Sequence, residues 1–362
     1  MAFFDLRQKI QRGELGEFSA KGKSAPALSP LLSQRQIPSL CAMNDNLPSV
    51  TIIIPARPDE REVPAVAAAR ALDYPASKVE IILARGRQPS VQRNTALRAA
   101  RGELIYFLDD DALPLPGNLR RAVDLFSRPQ VQLVGGPNLC PPDAPPLEQV
   151  FALVLSSWLA FGPSRARYAR VGSIRATSEK ELILCNLLGR RNTLLKHGGF
   201  NEALYPNEEN ALMDNIEAAG GELLYDPGLY VWRRPRRTLR QFIRMLQTYG
   251  RGRAEQFRTT PTPGSALNFV PPAFVLYLLV ALPVQFFWPW VLWPLEFYAL
   301  VILLQVVLLI PAGGLTPSVG ALPLLMLTHI CYGIGFWRGL FTKLKPPGIK
   351  SEVPVKLETL SA

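Results

Sequence analysis

Three consecutive aspartates, Asp109-Asp110-Asp111, follow directly on the apolar run Glu103-Leu-Ile-Tyr-Phe-Leu108. An Asp-x-Asp at the end of a buried strand presents two carboxylates to one crevice. Hard oxygen ligands of this kind suit Mg2+ or Mn2+, and such a cation bridges substrate phosphates and neutralises charge on a departing diphosphate. Three adjacent acids are equally compatible with a solvated turn, so the triplet alone does not decide. A second acidic pair, Glu208-Glu209, opens a helical segment, where the helix dipole favours acids. Arg251 and Arg253 carry the planar fork that suits a diphosphate or a lipid phosphate. They also belong to a basic cluster just before an apolar tail, and both roles are compatible. His197 and His329 stand alone and receive no chemical role.

The elements that must position these residues are legible as alternating strands and helices. Val50-Thr-Ile-Ile-Ile-Pro55 is a continuous β-branched run closed by proline, the pattern of a buried parallel strand. An alanine-rich helix over 61–73, a strand at Val79–Leu83 and a helix around Val91–Ala100 follow. The third strand then runs into the aspartates. This spacing predicts a doubly wound, mostly parallel α/β sheet with a nucleotide-sized crevice at the strand C-termini. Downstream, the pattern predicts a helix over Leu119–Ser127 and a strand over Gln132–Gly135. Leu147–Phe161 is apolar and aromatic, and reads as core packing or as an amphipathic helix at a membrane surface. Arg165–Ser178 reads as a basic loop, Asn192–Gly198 and Glu208–Ala219 as helices, Glu222–Asp226 as a strand and Thr238–Gln256 as a long basic helix.

With 362 residues, 48% of them hydrophobic, the chain has room for a full core and a second module. From Asn268 to Leu340 the charged residues are Glu296 and Arg338. Prolines divide this tail into candidate spans at 269–287, 290–311 and 318–338, each near the ~20 residues that cross a bilayer. Trp288, Trp290 and Trp293 form an aromatic belt at the first turn. Three spans put the C-terminus outside, whereas Lys343, Lys345 and Lys350 favour the inside. One segment, the proline-rich first one for instance, is then re-entrant or interfacial, so the region holds two to three spans. Domain boundaries follow at 1–47 (a mobile leader with a short helix, Phe4 to Gln11), 48–258, 266–341 and a basic cytoplasmic tail at 342–362.

The net charge is +11, and much of the excess lies between Arg233 and Arg258. A juxtamembrane cluster fits cytoplasmic topology and phosphate binding, and no nucleic-acid signature accompanies it. The four cysteines are scattered without C-x-x-C spacing, which argues against a zinc site and a disulfide framework. The N-terminal sequence has no long apolar run followed by a small-residue cleavage site, which speaks against a secretory signal peptide.

Val50–Ala56, Ala100–Pro114 with its acidic triplet, Gly189-Arg-Arg-Asn192, Gly198-Gly-Phe-Asn-Glu202 and Asn207-Glu-Glu-Asn210 together resemble glycosyltransferase family 2, the inverting enzymes of GT-A (Rossmann-like) fold. The resemblance covers about Pro48 to Ala254. The tail and Tyr249-Gly-Arg-Gly-Arg253 are similar to the membrane-anchored, succinoglycan-type branch. The resemblance implies a hexosyltransferase-type enzyme of the inner membrane with its catalytic domain cytoplasmic. Such an enzyme takes a nucleotide-sugar donor and a lipid-linked acceptor, with other polysaccharide-assembly proteins as partners.

By position, the resemblance places Pro55, Ala56 and Arg57 at the nucleotide and Arg93-Asn94 beside the nucleotide-sugar. It puts Asp109, with Asp110 next to it, near the ribose and diphosphate, and Asp111 with Asp109 on the metal. Glu208-Glu209 occupies the place of a Glu-Asp whose second acid is the general base, which assigns that role to Glu209. Three positions depart. Ala84-Arg85-Gly86 replaces an acidic base-reading loop, for which Asp59 and Glu60 are candidate substitutes. Arg233 stands where relatives often carry a metal-binding histidine, and Glu209 is longer than the usual aspartate. Two further readings stay open: a polyprenyl-phosphate sugar synthase, and a catalytically silent membrane scaffold.

Overall fold

The computed structural model describes residues 47–202, 207–259, 261, 263–344 and 354–362. The leader and its expected helix, Phe4 to Gln11, lie outside them. The chain forms β1 (Val50–Ala56), α1 (Pro64–Arg70), β2 (Val79–Arg85), α2 (Pro89–Ala99), β3 (Leu104–Leu108), β4 (Leu113–Pro114), α3 (Asn118–Leu125), β5 (Val131–Gly135) and β6 (Asn138–Leu139). Next come α4 (Pro146–Leu155), α5 (Trp158–Phe161), β7 (Arg175–Thr177), β8 (Asn186–Arg190), α6 (Arg191–Lys196), α7 (Glu208–Ala218), β9 (Glu222–Tyr225) and β10 (Val231–Trp232). Then α8 (Leu239–Thr259), α9 (Val270–Val284), α10 (Trp293–Gly313), α11 (Leu315–Phe341) and β11 (Lys356–Ser361) complete it.

β1 and β3 are buried at every position because helices cover both faces of the sheet. Their period of two divides the core: Ile52, Ile54 and Tyr106 enter one cluster, Ile53, Ile105 and Phe107 the other. Helices α1, α2 and α4 each open on proline, which lacks the N–H that a first turn leaves unpaired.

The main sheet runs β11-β2-β1-β3-β8-β5-β9-β7. β1 pairs in parallel with β2 on one side and β3 on the other, so the chain direction switches there and leaves a crevice at the strand ends. The doubly wound expectation holds for this half. β8, which the sequence pattern does not announce, is inserted antiparallel between β3 and β5. Part of the expected loop 165–178 is strand β7, antiparallel to β9. The expected basic tail 342–362 also differs: its last residues form β11, antiparallel to β2, and close the sheet edge. A three-stranded sheet, β4-β10-β6, stands beyond the switch point.

Three helical segments are long and apolar enough to cross a membrane: Ser265–Val284, Pro289–Gly313 and Leu315–Phe341. Trp288, Trp290 and Trp293 are exposed around the turn between the first two. The stretch 147–161 packs as core against these segments. Phe151 of α4 stacks on Phe242 of α8 at 4.3 Å, within a cluster that includes Val306, Ala321 and Leu325. α8 lies against α11 backbone to backbone. A Cβ on Gly335 would stand 2.1 Å from the carbonyl oxygen of Gln247, and one on Gly250 2.0 Å from that of Tyr332. Small residues permit such close packing between helices.

Candidate functional site

The donor end of the site starts where β1 ends. Pro55 and Ala56 are buried and Arg57 is exposed, and all three line a cavity of about 1230 Å3. Gln92 of α2 fixes the floor by donating from Nε2 to the carbonyl oxygens of Ala56 (2.8 Å) and Ala84 (2.6 Å). Arg85, at the usual base-reading position, turns away from the cavity. Its Nη1 donates to the carbonyls of Glu60 (2.6 Å) and Arg57 (3.3 Å), and its Nε meets Glu358 of β11 at 3.1 Å. It therefore ties the first loop to the C-terminal strand. Asp59 lines the cavity and Glu60 does not.

The acidic triplet emerges from β3 as expected. Asp109 is flanked by two guanidinium groups: Arg93 Nη2 at 2.7 Å from Oδ1 and Arg233 Nη2 at 3.0 Å from Oδ2. Burial pushes the Asp109 carboxyl up, but Arg233 and Arg93 outweigh it and hold it below the usual carboxylate range. Asp111 is half exposed and off the cavity wall, and its Oδ1 accepts from Arg233 Nε at 2.6 Å. Asp110 lines the cavity, and burial, the Asp111 charge and Glu60 raise it to about 7. Arg233 follows β10, whose pairing with β4 and β6 carries it to the triplet. Its neighbour Arg234 points the other way, into a two-pronged pair with buried Glu148 at 2.6 and 2.7 Å.

These contacts bear on the expected metal. Asp109 Oδ1 and Asp111 Oδ1 accept from guanidinium N–H groups, and Asp109 Oδ2 is ion-paired with Arg233 at 3.0 Å. A dication about 4 Å from a guanidinium is repelled by roughly 8 kcal/mol at an effective dielectric of about 20. The donor set as arranged therefore does not fit a Mg2+ or Mn2+ held by Asp109 and Asp111. Such an ion enters only by displacing Arg233.

The other end of the site is built around α7. Asn207, its N-cap, has φ 94°, a left-handed conformation that asparagine tolerates better than most residues, and it is held by Asn210 Nδ2 at 2.9 Å. This turn points Glu208 inward, where its Oε1 lies 3.4 Å from Arg93 Nη1. Burial and the neighbouring Glu209 charge raise Glu208 to about 8, against the opposing pull of Arg93. Glu209 is half-buried on the cavity wall, and among the described residues nothing hydrogen-bonds or ion-pairs with its carboxylate.

Asn94, expected beside the nucleotide-sugar, is instead buried off the wall. It clasps the turn at Gly199-Phe200, accepting from Phe200 N (2.8 Å) and donating to Phe200 O (2.8 Å) and Glu202 (2.9 Å). Arg253 lines the cavity and meets Glu179 at 3.4 Å. Arg251 lies off the wall, paired with Glu255 one turn along α8 at 3.4 Å.

The cavity continues from Asp109 past Glu209 and Arg253 to Val270, Pro271, Thr328 and Tyr332 on the apolar helices. Short α5 forms part of its wall and is anchored to those helices. Leu159 N donates to Gln305 Oε1 at 3.0 Å, and Leu159 O lies 2.9 Å from His329 Nε2. Two residues singled out only as departures, Arg85 and Arg233, thus organise the donor end. Gln92, Arg167, Lys180 and His329, which also shape the wall, carry no sequence signal of their own. Arg167 donates to Asn210 at 2.7 Å and to the Glu179 carbonyl.

Among known structures, the chain is similar to a mannosyltransferase from Pyrobaculum calidifontis in complex with GDP-Man and Mn2+. That match has 21% identity, 82% of this chain and 88% of the other covered, and a TM-score of 0.47. It is also similar to TarS of S. aureus, at 11% identity, with 63% and 47% covered and a TM-score of 0.39. Among curated protein sequences none matches. The model of the glycosyltransferase like family 2 matches residues 32–247, more than half of the chain. That span holds the switch-point crevice, the acidic triplet and the Glu208-Glu209 turn, and this chain belongs to that family of glycosyltransferases.

Proposed function

We propose that the chain transfers a sugar, with inversion, from a nucleotide-sugar to a lipid-linked glycan at the cytoplasmic face of the inner membrane. The product serves cell-surface or exported polysaccharide, with other assembly proteins as partners. The observation that carries this reading is the single cavity running from the strand ends at Pro55 and Asp109 to Val270 and Tyr332 on the apolar helices. A polar donor fits one end and an acceptor arriving from lipid the other, with Glu209 between them.

In this arrangement the Glu209 carboxylate takes the proton of the acceptor hydroxyl as that oxygen attacks the anomeric carbon. The bond to the diphosphate breaks on the opposite face, and its electrons leave with the nucleotide. Arg93 and Arg233 face the charge that develops there, in a partly dry site where fixed donors act most strongly. Mg2+ or Mn2+, the expectation from the sequence, would have to take Asp109 and Asp111 from Arg233.

The test is turnover by the full chain in lipid nanodiscs with UDP- and GDP-sugars and a polyprenyl-diphosphate oligosaccharide, read by mass spectrometry of the lipid product. The expected result is extension of the oligosaccharide by one sugar. Arg167, Lys180 and Arg253 on the cavity wall favour a second reading, in which the acceptor is a polyprenyl phosphate. Such an acceptor needs little help from a base, so sugar on polyprenyl phosphate that persists in Glu209→Gln selects that reading. No turnover of any donor leaves the scaffold reading.

A further inference from the structure

We infer that Arg233 takes the place of a divalent cation in the donor site, its guanidinium meeting the diphosphate directly while Asp109 and Asp111 hold it. This rests on the nucleotide-sugar reading above. A guanidinium carries five N–H donors in a rigid fork. Nε donates to Asp111 Oδ1 and Nη2 is ion-paired with Asp109 Oδ2 at 3.0 Å. Among the described residues no partner engages Nη1, so that edge is left for phosphate oxygens on the cavity that Arg233 lines.

The side chain is also held in advance. Arg233 N donates to the Leu139 carbonyl at 2.9 Å, and Arg234 is locked onto Glu148 on the other side. Arg93 occupies the remaining oxygen of Asp109, so the aspartates act as supports for cations that belong to the chain. A histidine at 233 would add a third metal ligand, whereas arginine supplies the positive charge itself.

The experiment titrates UDP and GDP into the full chain in nanodiscs by calorimetry, with excess EDTA and then with Mn2+, and follows free Mn2+ by EPR without nucleotide. We expect one of the two diphosphates to bind with affinities that agree within about threefold in the two conditions, and no stoichiometric loss of the free Mn2+ signal. Arg233→His should weaken binding in EDTA at least about tenfold and regain it with Mn2+, whereas Arg233→Lys should weaken binding without metal rescue. Wild-type binding that requires Mn2+, or Arg233→His binding unchanged in EDTA, overturns the inference and leaves the nucleotide-sugar reading standing. Absence of binding by either diphosphate in both conditions overturns both.

The packing of α11 carries a second, independent inference. The geometry points to α11 as a helix that stays on the catalytic side of the membrane, leaving any crossing to α9 and α10. Arg258, at the end of α8 just before the apolar region, donates to the carbonyls of Gly339 (3.0 Å) and Thr342 (2.5 Å) at its far end. Both ends of the region therefore lie on one side, and an even number of crossings joins them. Of the three segments α11 is the most buried, 44% against 11% and 22%. Its C-terminal half lies along α8, which carries Arg244, Arg251, Arg253 and Arg258 and does not belong in hydrocarbon.

Impermeant maleimide labelling of the full chain in sealed vesicles of both orientations tests this, scored over the parent's background. Exposed Arg101 of the catalytic domain, as Arg101→Cys, sets the reference side. Thr316→Cys, exposed at the start of α11, should label from that same side. Labelling of Thr316→Cys from the opposite side overturns the assignment.

Discussion

Arg93 reaches Glu208 through Nη1 at 3.4 Å while its Nη2 holds Asp109 at 2.7 Å, so one buried guanidinium joins the end of β3 to the first turn of α7. Removing it leaves Asp109 with Arg233 alone and deprives buried Glu208 of its ion-pair partner, and breaking a buried pair from one side costs far more than the pair itself contributes. Arg93→Ala is therefore expected to lose about 3–5 kcal/mol of stability and donor binding together. Arg93→Lys keeps the charge and loses the fork, and should fall between. Denaturant unfolding in detergent and nucleotide titration on the same samples measure both.

The same pair predicts a pH dependence of stability. Glu208 is raised from 4.5 to about 8 by burial and by the Glu209 charge, against the opposing pull of Arg93. The folded chain then binds more protons than the unfolded chain between these values. Stability attributable to this group is fully present below about pH 4.5 and is lost as pH rises toward 8. Glu208→Gln should flatten that part of the profile and be relatively more stable than wild type near pH 8. A profile that keeps its slope in Glu208→Gln contradicts the assignment.

Glu209 is the base in the proposed reaction, and its substitution separates chemistry from folding. Its carboxylate lies on the cavity wall with no described partner, so Glu209→Gln should leave unfolding nearly unchanged. For a hydroxyl acceptor, kcat is expected to fall roughly 10²–10⁴-fold with donor affinity preserved. Single-turnover kinetics beside nucleotide titration check the split. Equal losses in binding and turnover would assign Glu209 to substrate holding instead.

Arg85 and Glu358 link the first loop to the C-terminal strand through a partly exposed ion pair at 3.1 Å. Exposed or partly exposed pairs contribute little by themselves, about 0–1 kcal/mol. The consequence to look for is positional. Glu358→Ala frees Arg85, which holds the carbonyls of Arg57 and Glu60 beside the nucleotide end of the cavity. KM for the donor should rise several-fold with kcat nearly unchanged, as uniform binding is lost.

The donor half was legible because its signals are local. β1 and β3 are unbroken apolar runs, and Asp109 follows the second in sequence as it does in space. β8 was not, since Asn186-Leu-Leu-Gly-Arg190 mixes polar and apolar residues and takes its meaning from β3 and β5 on either side. β11 lies beyond the apolar helices and pairs with a strand more than 270 positions earlier, which no periodicity reports. Arg233 was visible as a departure, but its contact with Asp111, 122 positions away, exists only once β10 has joined β4 and β6. Likewise Asn94 matched a motif, and the turn at Phe200 that it holds is a tertiary feature.

The membrane end of the cavity makes the last prediction. Val270 opens α9, is 62% exposed and lines the cavity near Pro271 and Tyr332. Its neighbours leave room, so Val270→Trp should be accommodated and narrow this opening without touching Asp109, Arg233 or Glu209. If the acceptor's hydrocarbon chain enters here, the variant binds nucleotide as before, while transfer to a long polyprenyl-linked acceptor falls about tenfold or more. Transfer to a short, water-soluble analogue of the same glycan should be spared, because that molecule reaches Glu209 from the aqueous side. Comparing the two acceptors on one preparation isolates the opening from the chemistry. An equal drop for both acceptors would mean that the substitution acts through the fold of α9 and not through the path of the lipid.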